Sequence, residues 1–369
     1  MLEKIRVLDL TTFIAGPACP RTLADFGADV IKVEEPGEEP PLWYPNLHIE
    51  THRGKRHMVL DIKSAAGRDA FLRLVATADV VVENAKSTVW PAQGLAYEDL
   101  IAISPHLLYV SIKAYGSDGP WGKWGGFEPN AQAVTGMQVR FGGADGPPRQ
   151  AGGGAINDYG APQLAASAIL LALKGSREER RSRRIEAALA WSASLFQSAD
   201  LFRTEEHEPT PLGGASLRGR SLESRLWPAS DGWIYAVLRN GALQRFSALI
   251  GTESAPRDDA SAAEFECVTS THGVGALISA ALRAGGVAVA APGAQQLKER
   301  LADEEMYGFD HQPSWGSVGR IGYTVKFDPP LAHGWRPAPG WGEHTREILA
   351  EIGLPKDDID ELFVAGVAQ

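Results

Sequence analysis

The chain has 369 residues, enough to bury a large core and to divide into two domains. Its 46 acidic residues outnumber its 36 basic residues, and the formal net charge of −10 argues against a nucleic-acid-binding surface. A polyanionic ligand would need local basic groups on this acidic background.

The first 34 residues have the pattern of a nucleotide-binding βαβ unit. An apolar strand is predicted over 5–10, a helix follows a glycine-containing loop and ends near 26, and a second strand over 30–33 runs into Glu34. The Gly-x-Gly-x-x-Gly fingerprint of dinucleotide-binding proteins does not occur there, so a ribose-binding role for Glu34 is not expected. The unit is therefore predicted to hold a nucleotide-like ligand by other contacts.

Strands and helices continue to alternate beyond this unit. Further strands are predicted over 57–62, 79–83 and 107–113, and helices over 65–77, 97–103, 131–137, 159–173 and 185–203. Strands separated by helices of this length indicate right-handed crossovers and a parallel sheet. Residues 116–126 and 142–154 are rich in glycine and are predicted to be loops.

The composition changes after the predicted helices, which suggests a second domain. A linker that contains Thr, Pro, Gly and Ser is predicted over 205–220, and a strand and a helix follow over 227–250. The chain is predicted to end with a helix over 345–352 and an acidic helix from 356. The fold class predicted from these elements is α/β.

Neither a membrane span nor a secretory context is expected. The longest apolar stretch, 161–173, is shorter than the ~20 residues that span a bilayer. Charged residues within 1–10 leave no signal-peptide core, and Cys19 and Cys267 cannot form a disulfide framework. His48, His52 and His57 lack the company of a metal site. A cytoplasmic protein without a metal is therefore expected.

The sequence of residues 7–34, VLDLTTFIAGPACPRTLADFGADVIKVE, resembles the class III CoA-transferases, the formyl-CoA and carnitine CoA-transferase family. More blocks match in the same order: RGKR at 53–56, LDIK at 60–63, DVVVEN at 79–84, LYVSI at 108–112, YG at 115–116, GFE at 126–128, QA at 132–133, DGW at 231–233 and GEHT at 342–345. The resemblance spans nearly the whole chain.

The resemblance implies both a fold and an activity. Residues 1–204 and 310–369 would form a large Rossmann-like CoA-binding domain with a parallel sheet, and 205–309 a linker and a smaller α/β domain. Two chains would interlock as a homodimer. The implied reaction moves CoA from an acyl-CoA thioester to a carboxylic acid, with CoA as part of the substrate and no metal, redox cofactor, nucleic acid or membrane involved.

Asp158 is the candidate nucleophile. It follows three glycines at 152–154 and directly precedes a predicted helix, whose N-terminus favours a carboxylate by about 0.3–1 kcal/mol. Amides of nearby glycines can stabilise an oxyanion, at roughly 3 kcal/mol per donor. From local sequence alone, a helix N-cap is the simpler explanation of this residue. The resemblance places it at the catalytic aspartate, which would form an aspartyl-CoA thioester.

The resemblance also implies CoA contacts. The matching positions are Ile14, Ala15, Leu60, Lys63, Asn84 and Ala85. The residues that could supply positive charge instead of the family's basic residues are Lys86, Lys123, Arg53, Lys55 and Arg56. For any single lysine, a solvated surface position is the simpler interpretation. Three positions depart from the family pattern, because Glu35 and Ala92 stand where a basic residue is usual and Ala85 where a Phe is usual. Each lost phosphate contact costs about 1–3 kcal/mol.

Several alternatives remain open from the sequence. The chain could be a non-catalytic or weakly catalytic subunit that pairs with a homologous CoA-transferase, or an acyl-CoA racemase or isomerase. The racemase branch uses a His in a Gly-His-Asp block, and Phe127 occupies that position here, where it cannot accept a proton.

Two further features are interpreted from composition. The basic turn over 174–184 is predicted to be solvated rather than to bind nucleic acid, since Glu178 and Glu179 dilute its charge. Aromatic residues suggest an apolar, bulky substrate, although core or interface positions explain them as well; they are Trp43, Tyr44, Trp121, Trp124 and Trp227.

Overall fold

The computed structural model describes residues 1–37, 45–143, 146–152, 155–175, 177, 179–206, 219–304, 306–312, 316–322, 325, 327–328 and 336–369. Its strands are β1 (Arg6–Asp9), β2 (Asp29–Glu34), β3 (Arg56–Val59), β4 (Val80–Glu83), β5 (Leu108–Lys113), β6 (Arg183–Ala188), β7 (Gly219–Ser221), β8 (Ser224–Ala229), β9 (Gly232–Val237), β10 (Val287–Ala290), β11 (Tyr307–Gln312) and β12 (Gly316–Ile321).

The helices alternate with the strands in the first half of the chain. They are α1 (Ala15–Asp25), α2 (Pro45–His52), α3 (Ala65–Thr77), α4 (Val89–Ala92), α5 (Tyr97–Ile103), α6 (Glu128–Val134), α7 (Met137–Gly142), α8 (Ile156–Ala172), α9 (Leu189–Gln197), α10 (Ala242–Leu249), α11 (Asp259–Thr269), α12 (Val274–Arg283), α13 (Ala294–Asp303), α14 (Thr345–Glu351) and α15 (Lys356–Val364).

A six-stranded parallel sheet in the order β3-β2-β1-β4-β5-β6 organises the first half of the chain. Its central strands are nearly continuous apolar runs, as a sheet covered on both faces requires. One face packs on α3, α5, α14 and α15, and the other on α1 and α8. The predicted α/β fold with a Rossmann-like parallel sheet is confirmed.

The direction of the connections reverses between β1 and β4, because the chain runs outward to β3 and then returns to place β4 on the other side of β1. Open parallel sheets bind ligands at such a switch point, outside the carboxyl ends of the strands. The loops that follow β1 and β4 are therefore the place to look for a site.

The described residues form two compact units. The first comprises Met1–Met137, Ala151–Leu201 and Gly308–Gln369 and contains the parallel sheet. The second comprises Gln138–Gln150 and Phe202–Tyr307, and its antiparallel sheet, β10-β9-β8-β7, covers a core that includes the buried Trp227. The domain boundaries and the interlocked dimer expected from the resemblance stay predictions. Most of the predicted linker, 207–218, lies outside the described residues.

The end of the chain returns to the first unit. Ala368 forms a β-bridge with Leu60, and the Thr345 hydroxyl accepts a 3.0 Å hydrogen bond from the Val59 amide. Apolar residues of α14 and α15 belong to the core that covers the sheet. The last residues thus complete the β3 side of the sheet.

The sequence prediction failed most clearly at 185–203, where a single helix was expected. The structure has the edge strand β6, which pairs with β5, and the helix begins only at Leu189. Glu186, Ala187 and Ala188 favour helix by propensity, but pairing with β5 outweighs this local preference. Glu186 also accepts a 2.7 Å hydrogen bond from the Ser117 amide and so anchors the 116–126 loop.

The basic turn over 174–184 is not simply solvated. The Arg180 side chain is only 5% exposed and forms a 3.0 Å ion pair with Asp79. Arg177 Nε lies 2.5 Å from His106 Nε2. Residues 176 and 178 lie outside the described residues. These two arginines are therefore held at the amino ends of the strands, and the Arg180 charge is already paired with Asp79.

Candidate active site

A cavity of about 990 Å³ lies at the switch point, where sheet topology places it. Its lining comes from the loops after β1, β4 and β5 and from the starts of α8 and α9. The lining residues are Thr12, Phe13, Ile14, Ala15, Asn84, Ala85, Lys86, Ser87, Ile112, Lys113, Ala114, Gly122, Trp124, Gly125, Gly126, Phe127, Asp158 and Leu189. We call this space the main cavity.

Asn84 joins the two loops at the switch point. Its side-chain oxygen accepts a 2.9 Å hydrogen bond from the Thr12 amide, and its side-chain nitrogen donates a 2.8 Å bond to the Thr12 carbonyl. Gly16 allows this close approach, because a Cβ there would lie 2.6 Å from Asn84 Nδ2 and 2.3 Å from Thr11 Cβ. The amide of one side chain thus fixes the entrance to α1.

Phe13, directly after Thr12, has an uncommon backbone. Its φ of 65° is in the left-handed region, which costs a non-glycine residue roughly 1–2 kcal/mol. The ring meets that of Phe127 edge to face, with centroids 5.1 Å apart and planes at 84°. Both rings line the main cavity and are more than half exposed.

Glu128 is the buried acceptor beneath the nucleophile candidate. It is 1% exposed, and its carboxylate accepts hydrogen bonds from the amides of Asn157 (2.8 Å) and Asp158 (2.9 Å), the Asn157 side chain (2.8 Å) and the Gln132 side chain (2.6 Å). It therefore satisfies amides of the first turn of α8 that have no partner within the helix.

Glu128 also explains why α8 starts earlier than predicted. The helix begins at Ile156 with Ala155 as its N-cap, so Asp158 lies within the first turn rather than before it. The interpretation of Asp158 as an N-cap is therefore wrong. Of the three glycines expected to supply oxyanion donors, only Gly152 is described, with φ at 57°.

The environment of Asp158 raises its pKa to about 7, first because the carboxyl is removed from water and then because Glu128 is near. Within the described part of the chain, no side chain pairs with this carboxylate. The sequence suggested a carboxylate held ionised by the helix N-terminus. In the structure that stabilisation is outweighed, because burial and Glu128 both favour the protonated form.

Most of the predicted CoA-contacting residues line one of two adjoining cavities. Ile14, Ala15, Asn84, Ala85 and Lys86 line the main cavity. A second cavity of about 400 Å³ shares Thr12, Asn84 and Ala85 with it, and its other lining residues include Leu60, Lys63, Glu35, Trp90 and Trp341. Lys123 is exposed and lines neither cavity.

The departures from the family pattern affect the second cavity most. Lys63 Nζ lies 2.7 Å from a carboxylate oxygen of Glu35, and both side chains are exposed. The pair partly neutralises the cation that the sequence suggested for binding a phosphate. Ala92 ends the short helix α4 and is exposed. Arg53, Lys55 and Arg56 line neither cavity and are held in ion pairs.

A buried ion pair, which the sequence analysis did not identify, supports the β1 loop. Lys55 Nζ lies 2.6 Å from Asp9 Oδ2 and donates a 2.9 Å bond to the Pro17 carbonyl, while the other Asp9 oxygen accepts a 3.0 Å bond from the Thr11 amide. Burial lowers the pKa of Lys55 to about 8. The signal for this pair in the sequence was Asp9, an acidic residue at the end of a predicted buried strand.

No helix in the described ranges is both long and apolar enough to cross a bilayer. No group of three or more His, Cys, Asp or Glu side chains in those ranges has the arrangement of a metal site.

Comparison with known proteins identifies the family. Residues 2–345 match CoA-transferase family III. The chain belongs to this family. It is 31% identical to the succinate–glutarate CoA-transferase of Agrobacterium fabrum, over 95% of each chain. It is 30% identical to the succinyl-CoA:glutarate CoA-transferase of Homo sapiens, over 99% of this chain and 89% of that one.

A solved structure agrees with this assignment. The CaiB/BaiF family protein from Brucella suis is 26% identical, covers 95% of this chain with 98% of its own, and superposes with a TM-score of 0.81. The resemblance read from the motifs is thereby confirmed, and so is the prediction of an enzyme of the CoA-transferase class. The roles of individual site residues stay predictions.

Proposed function

We propose that this family III member is an acyl-CoA:carboxylate CoA-transferase in which Asp158 forms the covalent intermediates. The observation that carries the proposal is the position of Asp158: a half-buried carboxylate, with no cationic partner in the described ranges, that lines the main cavity at the switch point. A carboxylate that folding does not stabilise as an anion retains its nucleophilicity once ionised.

In the proposed reaction, the Asp158 carboxylate is the nucleophile, and CoA passes from the acyl carbon of the donor to that of the acceptor. An Asp158 oxygen attacks the thioester carbonyl, the C–S bond breaks, and a mixed anhydride and CoA thiolate result. The thiolate attacks the aspartyl carbon, the donor acid leaves as its carboxylate, and an aspartyl-CoA thioester remains. The incoming carboxylate attacks this thioester and expels the thiolate, which leaves a second mixed anhydride. The thiolate then attacks the acyl carbon of the incoming acid, forms the new acyl-CoA and frees the Asp158 carboxylate.

Glu128 acts here as a positioning residue. Its hydrogen bonds from the Asn157 and Asp158 amides fix the first turn of α8, and so the direction from which Asp158 meets the thioester. Its negative charge keeps part of the Asp158 population protonated, which ties the reaction to pH.

In this proposal CoA lies across the two adjoining cavities, which share Thr12, Asn84 and Ala85. The thioester must reach Asp158 in the main cavity, so the nucleotide end extends past Thr12, Asn84 and Ala85 into the second cavity, where Leu60 and Lys63 lie. The indole rings of Trp90 and Trp341 in that lining can stack on an adenine. The exposed Lys86 at the junction of the loops offers a charge for a phosphate.

A homodimer and a cytoplasmic location belong to the same proposal. The competing role as a partner subunit of a homologous CoA-transferase is favoured by one observation, the Glu35–Lys63 pair, which weakens a phosphate contact. Co-purification with a second homologous chain would support that role.

The deciding experiment is peptide mass spectrometry after mixing the protein with acyl-CoAs and trapping with hydroxylamine or borohydride. We expect CoA-dependent modification of the peptide that contains Asp158, and none in the Asp158→Ala variant. Binding of CoA without modification, combined with deuterium exchange at the acyl α-carbon, would favour a racemase or isomerase. Absence of both CoA binding and modification would favour the partner-subunit role.

A further inference from the structure

The main cavity presents an unusual amount of exposed aromatic surface. Phe13, Trp124 and Phe127 all line it, with exposures of 66%, 65% and 57%. An aromatic side chain gains more from burial than most others, since it covers 150–250 Å², so three exposed rings in one cavity indicate an apolar occupant. We call these three residues the aromatic wall.

The backbone keeps one ring of this wall in place at an energetic cost. Phe13 has a left-handed backbone conformation. The Asn84 side chain holds the residue before it through hydrogen bonds to the backbone amide and carbonyl of Thr12. A strained bulky residue at a cavity persists where the surroundings determine it, and such positions concentrate at ligand contacts. The edge-to-face contact with Phe127 further fixes the ring.

The charges of the cavity disfavour a second carboxylate on the substrate. Among the described lining residues, Lys86 and Lys113 carry the positive charge. Both oxygens of Glu83 lie within 2.9 Å of Lys113 Nζ, so that cation is already neutralised. Lys86 is the charge that the proposed CoA phosphates require. The charge that acts on the Asp158 carboxyl is that of the acidic Glu128.

The aromatic wall shares the main cavity with Asp158. Phe127 directly precedes Glu128, whose carboxylate accepts a 2.9 Å hydrogen bond from the Asp158 amide. Because the thioester must reach Asp158 in this cavity, its acyl group and the aromatic wall occupy the same space.

We propose that the acyl-CoA used by this protein carries an apolar, ring-bearing monocarboxylic acyl group, held against Phe13, Trp124 and Phe127. The inference rests on the proposed function for the placement of the thioester. It separates this chain from relatives whose names specify succinate and glutarate, which are dicarboxylic acids.

The test compares equilibrium binding of benzoyl-CoA, succinyl-CoA and free CoA by calorimetry. The Asp158→Ala variant serves as the background, so that no covalent adduct forms. Benzoyl-CoA is expected to bind about tenfold more tightly than free CoA, as burial of ~50 Å² of aromatic surface implies. Succinyl-CoA is expected to bind no more tightly than free CoA.

Two added substitutions test the wall itself. Phe127→Ala should abolish the preference for benzoyl-CoA and leave the affinity for free CoA within twofold. Phe309→Ala, which removes an exposed ring from β11 that lines neither cavity, should leave the preference unchanged.

Two results would overturn the inference. One is tighter binding of succinyl-CoA than of benzoyl-CoA. The other is an equal loss of affinity for all three ligands in Phe127→Ala, which would assign the wall to the pantetheine arm. Covalent labelling of Asp158 in the wild-type protein is scored separately, so a failed labelling with an intact benzoyl preference would refute the proposed chemistry and keep the acyl class.

Discussion

The two ends of the strands in the six-stranded sheet shift the pKa of a carboxyl group in opposite directions. We call the side formed by the amino ends of the strands the amino edge, and the side formed by their carboxyl ends the carboxyl edge. At the amino edge, Asp29 lies 2.8 Å from Arg6 and 2.7 Å from Arg56, and Arg56 also reaches Glu351 at 2.6 Å. Burial opposes ionisation of Asp29, but Arg56 and Arg6 together hold its pKa below the ordinary value. At the carboxyl edge, burial and then Glu128 raise the pKa of Asp158 to about 7.

This difference separates stability from function within one sheet. Folding favours the ionised form of Asp29 and the protonated form of Asp158. The ion pairs of Asp29 at the amino edge therefore raise the free energy of unfolding. At the carboxyl edge, the ionised form of Asp158 lowers it. Perturbed acids of the second kind are the ones that concentrate at functional sites.

The largest effect is expected from Asp158→Asn. Loss of the nucleophile should lower kcat/KM for CoA transfer by about 10⁴-fold or more. The free energy of unfolding should rise at pH 8 by about 1 kcal/mol, because the folded protein no longer holds a carboxylate away from water. Urea unfolding at pH 8 and pH 4 checks this, since the gain should vanish at pH 4. A loss of stability at pH 8 would contradict the assignment.

Glu128→Gln sharpens the electrostatic side of the comparison. In the wild-type protein kcat/KM should rise with pH through about 7, as Asp158 ionises. Removing the charge of Glu128 should shift this midpoint downward. Weaker hydrogen bonds to the α8 amides should also lower kcat by roughly tenfold, since those to a charged acceptor are about twice as strong. An unchanged midpoint in the pH profile would contradict the role of Glu128.

At the amino edge, Asp29→Ala should cost stability and leave catalysis alone. The variant leaves Arg6 and Arg56 with fewer partners, and we expect the free energy of unfolding at pH 7 to fall by about 2 kcal/mol. Because the folded pKa of Asp29 is lowered, its contribution is present above pH 4 and lost as the pH falls further.

The matched control for Asp29→Ala is Asp69→Ala, which removes an exposed acid paired with Arg73 on α3. It should change the free energy of unfolding by under about 0.5 kcal/mol. Assays of kcat/KM should agree within twofold among both variants and the wild type. A tenfold fall in kcat/KM for Asp29→Ala would show that the two edges are coupled.

The smallest effect is expected from Glu35→Gln at the second cavity. Lys63 would then face the proposed CoA phosphate without a competing carboxylate, and KM for an acyl-CoA donor should fall about threefold. The gain should diminish in 0.5 M salt, because both groups are exposed. A raised KM would place the phosphates elsewhere.

The sequence was sufficient for the parts of the fold that depend on local pattern. Helices over 65–77 and 97–103 were predicted with the observed bounds, and the parallel order follows from the alternation of strands and helices. The strand over 183–188 was missed, because its helical propensity is overridden by pairing with β5, which no local window contains.

The sequence predicted which residues belong to the candidate site, but not the pKa shift and backbone conformation that the structure gives them. Asp158, Asn84 and the β1 loop do meet in one cavity. The raised pKa of Asp158 was not foreseen, since it depends on burial and then on Glu128, which is thirty residues away in sequence and accepts a 2.9 Å hydrogen bond from the Asp158 amide. The left-handed Phe13 was equally hidden, because propensity opposes a bulky residue in that conformation.

The return of the last residues to β3 has a consequence for biosynthesis. Ribosomes release a chain from its N-terminus, and domains generally begin to fold in that order. Trp341 lines the second cavity, and Ala368 forms a β-bridge with Leu60 beside it. A nascent chain can therefore form the pocket around Asn84 before residues 341–368 are made, whereas the proposed nucleotide-end cavity forms only after them.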